Sequence, residues 1–202
     1  STDTRFKCSG SYDIGDVTFH CHNRLGHGTL NMQNAFAQSC NPYFIQLALL
    51  MGGQSLYKMA VALGFDRPII LAEGWKTARA VIPSDIDLMS PAAVGNFAFG
   101  QGSLLATPVH FAQLVAAVVN NGNMIRPALL KGTISADGVV NEEKPAPSQT
   151  VFSEKTAQKL RELMVNAVEN GTGKSAHPFD GGAGGKTGTA ETGILTDGKS
   201  VL

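Results

Sequence analysis

Pro42 sits at the join of two helix-forming stretches, and it limits more than any other residue how this chain can fold. A proline disfavours helix at the residue before it and opens a new helix well. A helix starting near Met32, with Asn31 as its cap, therefore cannot run on into the apolar run Phe44 to Met51. The sequence predicts a break at Ser39-Cys40-Asn41 and a second helix from about Pro42 to Met51, closed by Gly52-Gly53. Ser39 and Asn41 then stand on a connecting loop, where polar groups can point into a cleft.

A second stretch has the opposite character. Gly184-Gly185-Lys186-Thr187-Gly188-Thr189-Ala190-Glu191 follows the turn cluster His177 to Gly182, and its threonine alternation suits a short strand. On a strand, Thr187 and Thr189 share one face while Lys186 and Gly188 share the other. Two hydroxyls and a compact ammonium suit recognition of a carboxylate, and Gly188 leaves no side chain to hold a facing helix away.

Composition sets the bounds. With 202 residues, 43% of them hydrophobic, the chain can bury a core as one domain. Sixteen basic residues balance sixteen acidic ones, so nothing points to nucleic acid as a partner. The longest apolar run is far too short to span a bilayer. The start, Ser1-Thr2-Asp3-Thr4-Arg5, is polar and lacks an initiator Met, so the chain reads as a cut piece.

Elsewhere the pattern predicts a helix from Ser55 to Leu63 stopped by Gly64, then mostly loop to Leu88 with a short strand at Ile69-Ile70-Leu71. A short helix follows from Ser90-Pro91 to Asn96, and a turn at Phe97 to Gly102. Thr107 and Pro108 open the clearest helix, with Phe111, Leu114, Val115, Val118 and Val119 as an apolar core face. A hairpin is expected around Asp137-Gly138, an exposed loop over Asn141 to Gln149, and a final helix from Ser153-Glu154 to Asn170-Gly171.

Three cysteines are an odd count. Cys8 and Cys21 bracket a hairpin turning at Gly15-Asp16, so they can form a disulfide or remain a thiol pair. With His20, His22 and His27 nearby, zinc is a further alternative, although the spacing follows no standard pattern. The reading takes no metal and no cofactor, and treats Cys40 as a small buried hydrophobe.

Three apparent motifs fail. Ser55-Leu56-Tyr57-Lys58 has the S-x-x-K form but follows the Ser39 element instead of preceding it. Gly171-Thr172-Gly173-Lys174-Ser175 imitates the end of a P-loop, yet Val168 stands where its first glycine belongs. No G-x-S-x-G elbow is present.

Ser39-Cys40-Asn41 supplies an S-x-N element and Lys186-Thr187-Gly188 a K-T-G element, a pair shared by penicillin-binding proteins and serine β-lactamases. The wider context is more specific. Gly26-His27-Gly28-Thr29-Leu30 leading into Ala35 to Phe44, then Phe99-Gly100-Gln101-Gly102 with Thr107-Pro108 and Asn120-Asn121-Gly122, then Gly171 to Lys174, closely resemble the transpeptidase domain of class B, monofunctional penicillin-binding proteins. The resemblance runs from about Phe6 onward. It implies an α+β, β-lactamase/transpeptidase-like fold, here predominantly α-helical with short β-hairpins, with residues 1–202 forming the S-x-N to K-T-G portion of one domain.

That resemblance implies acyl transfer. In the complete enzyme a serine of S-x-x-K attacks a peptidoglycan stem peptide ending in D-Ala-D-Ala, and β-lactam antibiotics enter as mimics. Ser39 would relay a proton with help from Lys186, and Asn41 would hold the substrate amide and the nucleophile's lysine partner. Thr187 and Thr189 would bind the terminal carboxylate, beside Gly188, and the Thr189 N–H would form half of the oxyanion hole. The parent would be membrane-anchored and work on the extracellular face of the bacterial cytoplasmic membrane. No credible S-x-x-K precedes Ser39, so this piece is expected not to form the acyl-enzyme. Gly185 to Leu202 is expected to fold back as a hairpin turning at Asp197-Gly198, or to pair with a second chain as a dimer. A β-lactamase or β-lactam sensor, and a non-catalytic interaction domain of the same fold, are the alternatives.

Overall fold

The computed structural model describes residues 2–144 and 146–188, and the backbone of 195–196 and 199–200. In chain order the elements are β1 (Phe6–Cys8), β2 (Ser11–Ile14), β3 (Val17–His20), β4 (Gly28–Leu30), α1 (Met32–Ala37), α2 (Asn41–Met51), α3 (Gly53–Ala62), β5 (Ile70–Ala72) and β6 (Trp75–Lys76). There follow α4 (Pro91–Ala98), α5 (Pro108–Val119), β7 (Asn123–Met124), β8 (Gly132–Ile134), β9 (Val140–Glu142), β10 (Gln149–Thr150), α6 (Glu154–Asn170), β11 (Leu195–Thr196) and β12 (Lys199–Ser200). Among the described residues the helices outweigh the strands, and every sheet is a two-stranded antiparallel pair: β1 with β4, β2 with β3, β5 with β6, β7 with β10, β8 with β9 and β11 with β12. Mixed helices and short strands of this kind are the expected α+β class.

The chain divides into two compact units. The first comprises Ser1–Tyr57, Pro83–Leu104 and Arg161–Leu202. Its first core cluster joins Cys8, Cys21, Leu30, Ala35, Cys40 and Tyr43, with Phe6, Met32, Phe44 and Leu47 packed around it. Tyr43 is fully buried, and its hydroxyl donates to the Thr4 carbonyl at 2.9 Å, which satisfies the one polar atom of an otherwise apolar anchor. A second cluster of Ala48, Leu88 and Val94 lies where α2 packs on α4. On α4, Gly95 lets the helix close onto the β2–β3 hairpin, because a Cβ there would meet Ile14 Cδ1 at 3.0 Å and Phe19 Cζ at 3.1 Å.

The second unit comprises Lys58–Ile82 and Leu105–Leu160. Thr107 precedes α5 as expected, but it does not cap the backbone; its hydroxyl lies 2.7 Å from His110 Nδ1. His110 Nε2 lies 3.1 Å from the Arg67 carbonyl, which can only accept, so Nε2 carries the proton and Nδ1 accepts from Thr107. With both nitrogens satisfied, His110 can be buried, and it turns the helix's inner face onto His110, Ala117 and Val118. The predicted apolar face is corrected accordingly: Phe111, Val115 and Val119 are exposed, and of that stripe Val118 alone is fully buried.

Several boundaries follow the sequence closely. Asn31 Oδ1 accepts from the Asn34 N–H at 3.0 Å, capping α1, and Ser153 Oγ does the same for Thr156 at the start of α6. The hairpin at Asp137-Gly138 forms as β8–β9, and β11–β12 pair as Leu195↔Ser200 and Thr196↔Lys199. The expected turn of that last hairpin, 197–198, lies outside the described residues. The strand expected at Gly184 to Glu191 does not form over its described part; residues 182–188 have no regular secondary structure. A strand exists only as part of a ladder, and the partners of this stretch are α6 and the α1–α2 break, which offer no strand edge.

Candidate active site at the helix break

The break between α1 and α2 is a Schellman motif. The Cys40 N–H returns to the Ala35 carbonyl at 3.0 Å, and the Ser39 N–H to the Phe36 carbonyl at 3.2 Å. Such a motif places its C′ residue in the left-handed region, where glycine is the usual choice. Here the residue is Ser39, at φ 51°. Left-handed backbone costs a residue with a Cβ about 1–2 kcal/mol, so a hydroxyl is being held where glycine would be easier. Asn41, expected on the loop, is the first residue of α2. Cys40 occupies the N-cap position without making a side-chain cap.

The C-terminal half of α6 supplies the other wall. The Thr172 N–H donates to the Ala37 carbonyl at 2.9 Å, and a Cβ on Gly171 would stand 2.1 Å from the same oxygen. Backbone therefore meets backbone where α6 ends on α1. The arm 182–188 returns along α6, with the Gly185 N–H on the Met164 carbonyl at 3.0 Å. That return carries Lys186 to the break, where its Nζ donates to Ser39 Oγ at 2.8 Å across 147 positions of sequence. The same ammonium donates to the Thr187 carbonyl at 3.0 Å and to Thr187 Oγ1 at 3.3 Å, and lies 5.9 Å from the centre of the Phe36 ring. Although much of the Lys186 side chain is exposed, its head is tucked among these groups, and burial lowers its pKa from the ordinary lysine value.

Of the residues expected at the site, all but Thr189 lie among those described. Ser39, Lys186 and Thr187 come together, and Thr187 Oγ1 is further paired with Thr172 Oγ1 at 2.9 Å. Asn41 stands two residues from Ser39 with Nδ2 on the His20 carbonyl at 3.1 Å, so the Oδ1 end of its amide is turned the other way. Gly188 follows Thr187, with open space where a Cβ would be. Thr189 lies outside the described residues. Thr172 was not singled out for this site; its signal was the Gly171-Thr172-Gly173 run, which serves as the crossing of α6 on α1. Ser55 is spent elsewhere, its hydroxyl donating to the Met51 carbonyl at 2.8 Å. A cavity of about 480 Å³ in the second unit, lined by residues such as Leu71, Ile125, Arg126 and Glu142, contains none of these groups.

Directly behind the break lies a second cluster. Cys8, Cys21 and Cys40 are buried free thiols, and His27 Nδ1 lies 3.7 Å from Cys8 Sγ and 3.5 Å from Cys21 Sγ. All four candidate ligand atoms lie within 4.8 Å of one another. Burial pushes the Cys40 thiol far above its usual range, and burial with the neighbouring His22 lowers His27. His20 is exposed and His22 Nε2 contacts the Gln38 carbonyl at 2.8 Å, so neither belongs to the cluster.

Residues 1–201 match the family described as the penicillin binding protein transpeptidase domain. Among curated relatives, the chain is 29% identical over 197 residues to stage V sporulation protein D of Bacillus subtilis, covering 96% of this chain and 30% of that protein. It is 34% identical over 170 residues to peptidoglycan D,D-transpeptidase PbpA of Mycobacterium tuberculosis, covering 82% and 33%. Among solved structures, it is similar to the D,D-transpeptidase domain of a peptidoglycan glycosyltransferase from Eggerthella lenta, with TM-score 0.85 and 30% identity over 95% of this chain and 49% of that one. A ceftriaxone acyl-enzyme complex of penicillin-binding protein A from M. tuberculosis gives TM-score 0.85 and 27% identity over 96% and 44%. The chain thus spans about a third of the length of these curated relatives.

Proposed function

Because this chain belongs to the penicillin-binding protein transpeptidase family, we propose that its Ser39–Lys186 pair forms one wall of a peptidoglycan D,D-transpeptidase site, and that β-lactams enter the same site. The observation that carries this reading is the 2.8 Å hydrogen bond from Lys186 Nζ to Ser39 Oγ. When the ammonium donates to Ser39, it occupies a lone pair of the hydroxyl and leaves that hydroxyl's own proton free to be given away. A proton poised there can pass to the nitrogen expelled when the acyl group is transferred.

The attacking serine is assigned to no residue of this chain; the 202 residues supply the groups that receive it. Asn41 offers its Oδ1 end to the substrate amide and to the nucleophile's lysine partner. Thr187, already accepting from Lys186, turns its hydroxyl proton toward the terminal carboxylate, with Thr189 beyond Gly188 completing that contact and the oxyanion hole. The stem peptide ending in D-Ala-D-Ala is the proposed substrate. Among the described residues no helix is long and apolar enough to cross a membrane; anchoring, and work on the outer face of the cytoplasmic membrane, are proposed for the whole protein. The two units are read as parts of one transpeptidase domain.

A fluorescent penicillin tests this on the protein that carries the chain. Stable covalent labelling, slowed by Lys186→Ala, is the expected result. Rapid turnover of the label would replace the reading with a β-lactamase, and the absence of labelling would replace it with an interaction domain.

A further inference from the structure

Cys8 ends β1, Cys21 follows β3, His27 lies in the loop before β4, and Cys40 precedes α2. Twelve residues separate the first two, five the next pair, and twelve the last, so no short motif announces them as a set. The fold nevertheless brings one atom of each to a common point. We propose that Cys8, Cys21, His27 and Cys40 form a Cys3His site for a structural zinc ion, bound behind the Ser39–Asn41 break.

The two S···N distances agree with a tetrahedron, and every other edge lies within 4.8 Å. Zinc–sulfur bonds of about 2.3 Å and a zinc–nitrogen bond of about 2.0 Å put the S···N edges near 3.5 Å and the S···S edges near 3.8 Å. The two S···N separations here are 3.5 and 3.7 Å. A single Nδ1 lone pair can accept from one thiol and not from two, so hydrogen bonding alone leaves one of these close approaches unexplained. A metal on the same lone pair accounts for both.

Backbone donors surround the sulfurs. Backbone groups of Gly10 and His27 are directed at Cys8 Sγ, those of Asn23 and Asn41 at Cys21 Sγ, and that of Tyr43 at Cys40 Sγ. Such N–H donors orient and stabilise metal-bound sulfur. Close backbone approach makes this possible: a Cβ at Gly10 would stand 2.0 Å from the Arg24 carbonyl oxygen, and one at Gly26 would stand 2.4 Å from that of Cys8. Both glycines have positive φ, so the 22–27 loop is folded tightly onto the ends of β1 and β2, which delivers His27. Cys40 also stands at an N-cap where Ser, Asp or Asn would stabilise α2 and the thiol does not. Soft thiolates with one imidazole select zinc over the hard, oxygen-seeking cations, and four protein ligands close the coordination sphere. Binding releases three thiol protons to solvent, leaving two positive charges against three thiolates.

The proposal rests on this cluster alone and stands whichever reaction the protein performs. The protein carrying this chain, purified without a polyhistidine tag under reducing conditions, should hold one zinc per chain by mass spectrometry of the metals. Cobalt(II) in its place should give a near-ultraviolet thiolate charge-transfer band of three-thiolate intensity, with visible bands of tetrahedral strength. Cys40→Ser should weaken cobalt binding by at least ~100-fold. The cobalt spectrum uses the unaltered protein, so misfolding of a variant cannot stand in for the answer. Folded protein in which Cys8, Cys21 and Cys40 all titrate as free thiols, with no stoichiometric metal, would overturn the assignment. So would a Cys8–Cys21 disulfide in the reduced preparation, or unchanged affinity in Cys40→Ser.

Discussion

Gly171→Ala tests how the wall of the proposed site is held. The new Cβ would stand 2.1 Å from the Ala37 carbonyl oxygen, 2.7 Å from its carbon and 2.9 Å from the Ala167 oxygen. These are backbone atoms and cannot swing aside, so α6 must back away from α1 by about 0.9 Å to reach the shortest contact that real side chains show. That movement stretches the 2.9 Å Thr172–Ala37 hydrogen bond to roughly 3.8 Å, past bonding reach. Losing the bond costs about 1 kcal/mol and the overpacking about 1–3 kcal/mol. At roughly 2–4 °C per kcal/mol for a domain of this size, the melting midpoint should fall on the order of 10 °C. The arm bearing Lys186 follows α6 through the Gly185–Met164 bond, so penicillin acylation of the protein that carries this chain, the one used for all the acylation assays, should slow as well. Gly185→Ala is the control, since its Cβ would meet only Val168 Cγ2 at an ordinary 3.6 Å and should change stability by less than ~0.5 kcal/mol. If Gly171→Ala melts and acylates like the unaltered protein in differential scanning calorimetry and a stopped-flow labelling assay, the backbone-contact argument is wrong.

Ser39→Gly should be more stable than Ser39→Ala by about 1 kcal/mol in chemical denaturation, because only glycine is free of the left-handed cost at φ 51°; both should slow acylation alike, having lost the same hydroxyl, and equal stability would refute the strain. Burial lowers the Lys186 pKa below its ordinary 10.5, so the folded protein gives up this proton first and the unfolded chain binds more protons in the window between the two values. This group's share of stability should therefore rise as pH climbs through that window and be lost as pH falls back through the folded pKa. The alkaline loss of acylation should begin below 10.5 and be absent from Lys186→Ala, as a pH–rate profile would show.

The helix break was legible because Pro42 and Asn31 act within a few residues of themselves, and the Ser39–Lys186 pairing was legible through resemblance across the whole chain. The strand at Lys186 was misread because alternation states what a strand would look like, and not whether a sheet edge is there to receive it. The α5 face was misread for a similar reason: periodicity sees apolar residues, while the inner face was set by His110 finding Thr107 and the Arg67 carbonyl. The sulfur cluster was half legible. Cys8 and Cys21 were set beside His20, His22 and His27 as one alternative, with no metal taken and His27 not singled out, and Cys40 was read as a plain hydrophobe because its neighbours in sequence, not those in space, gave it its meaning.

The middle position of the Ser39-Cys40-Asn41 loop has no exposed surface, while the residues on either side are partly open. A loop can drift in sequence without harm to the scaffold where its side chains face solvent. Position 40 is closed to that drift, since any change there is felt first in the interior. Change in this loop is therefore left to positions 39 and 41, on either side of a centre fixed by the interior.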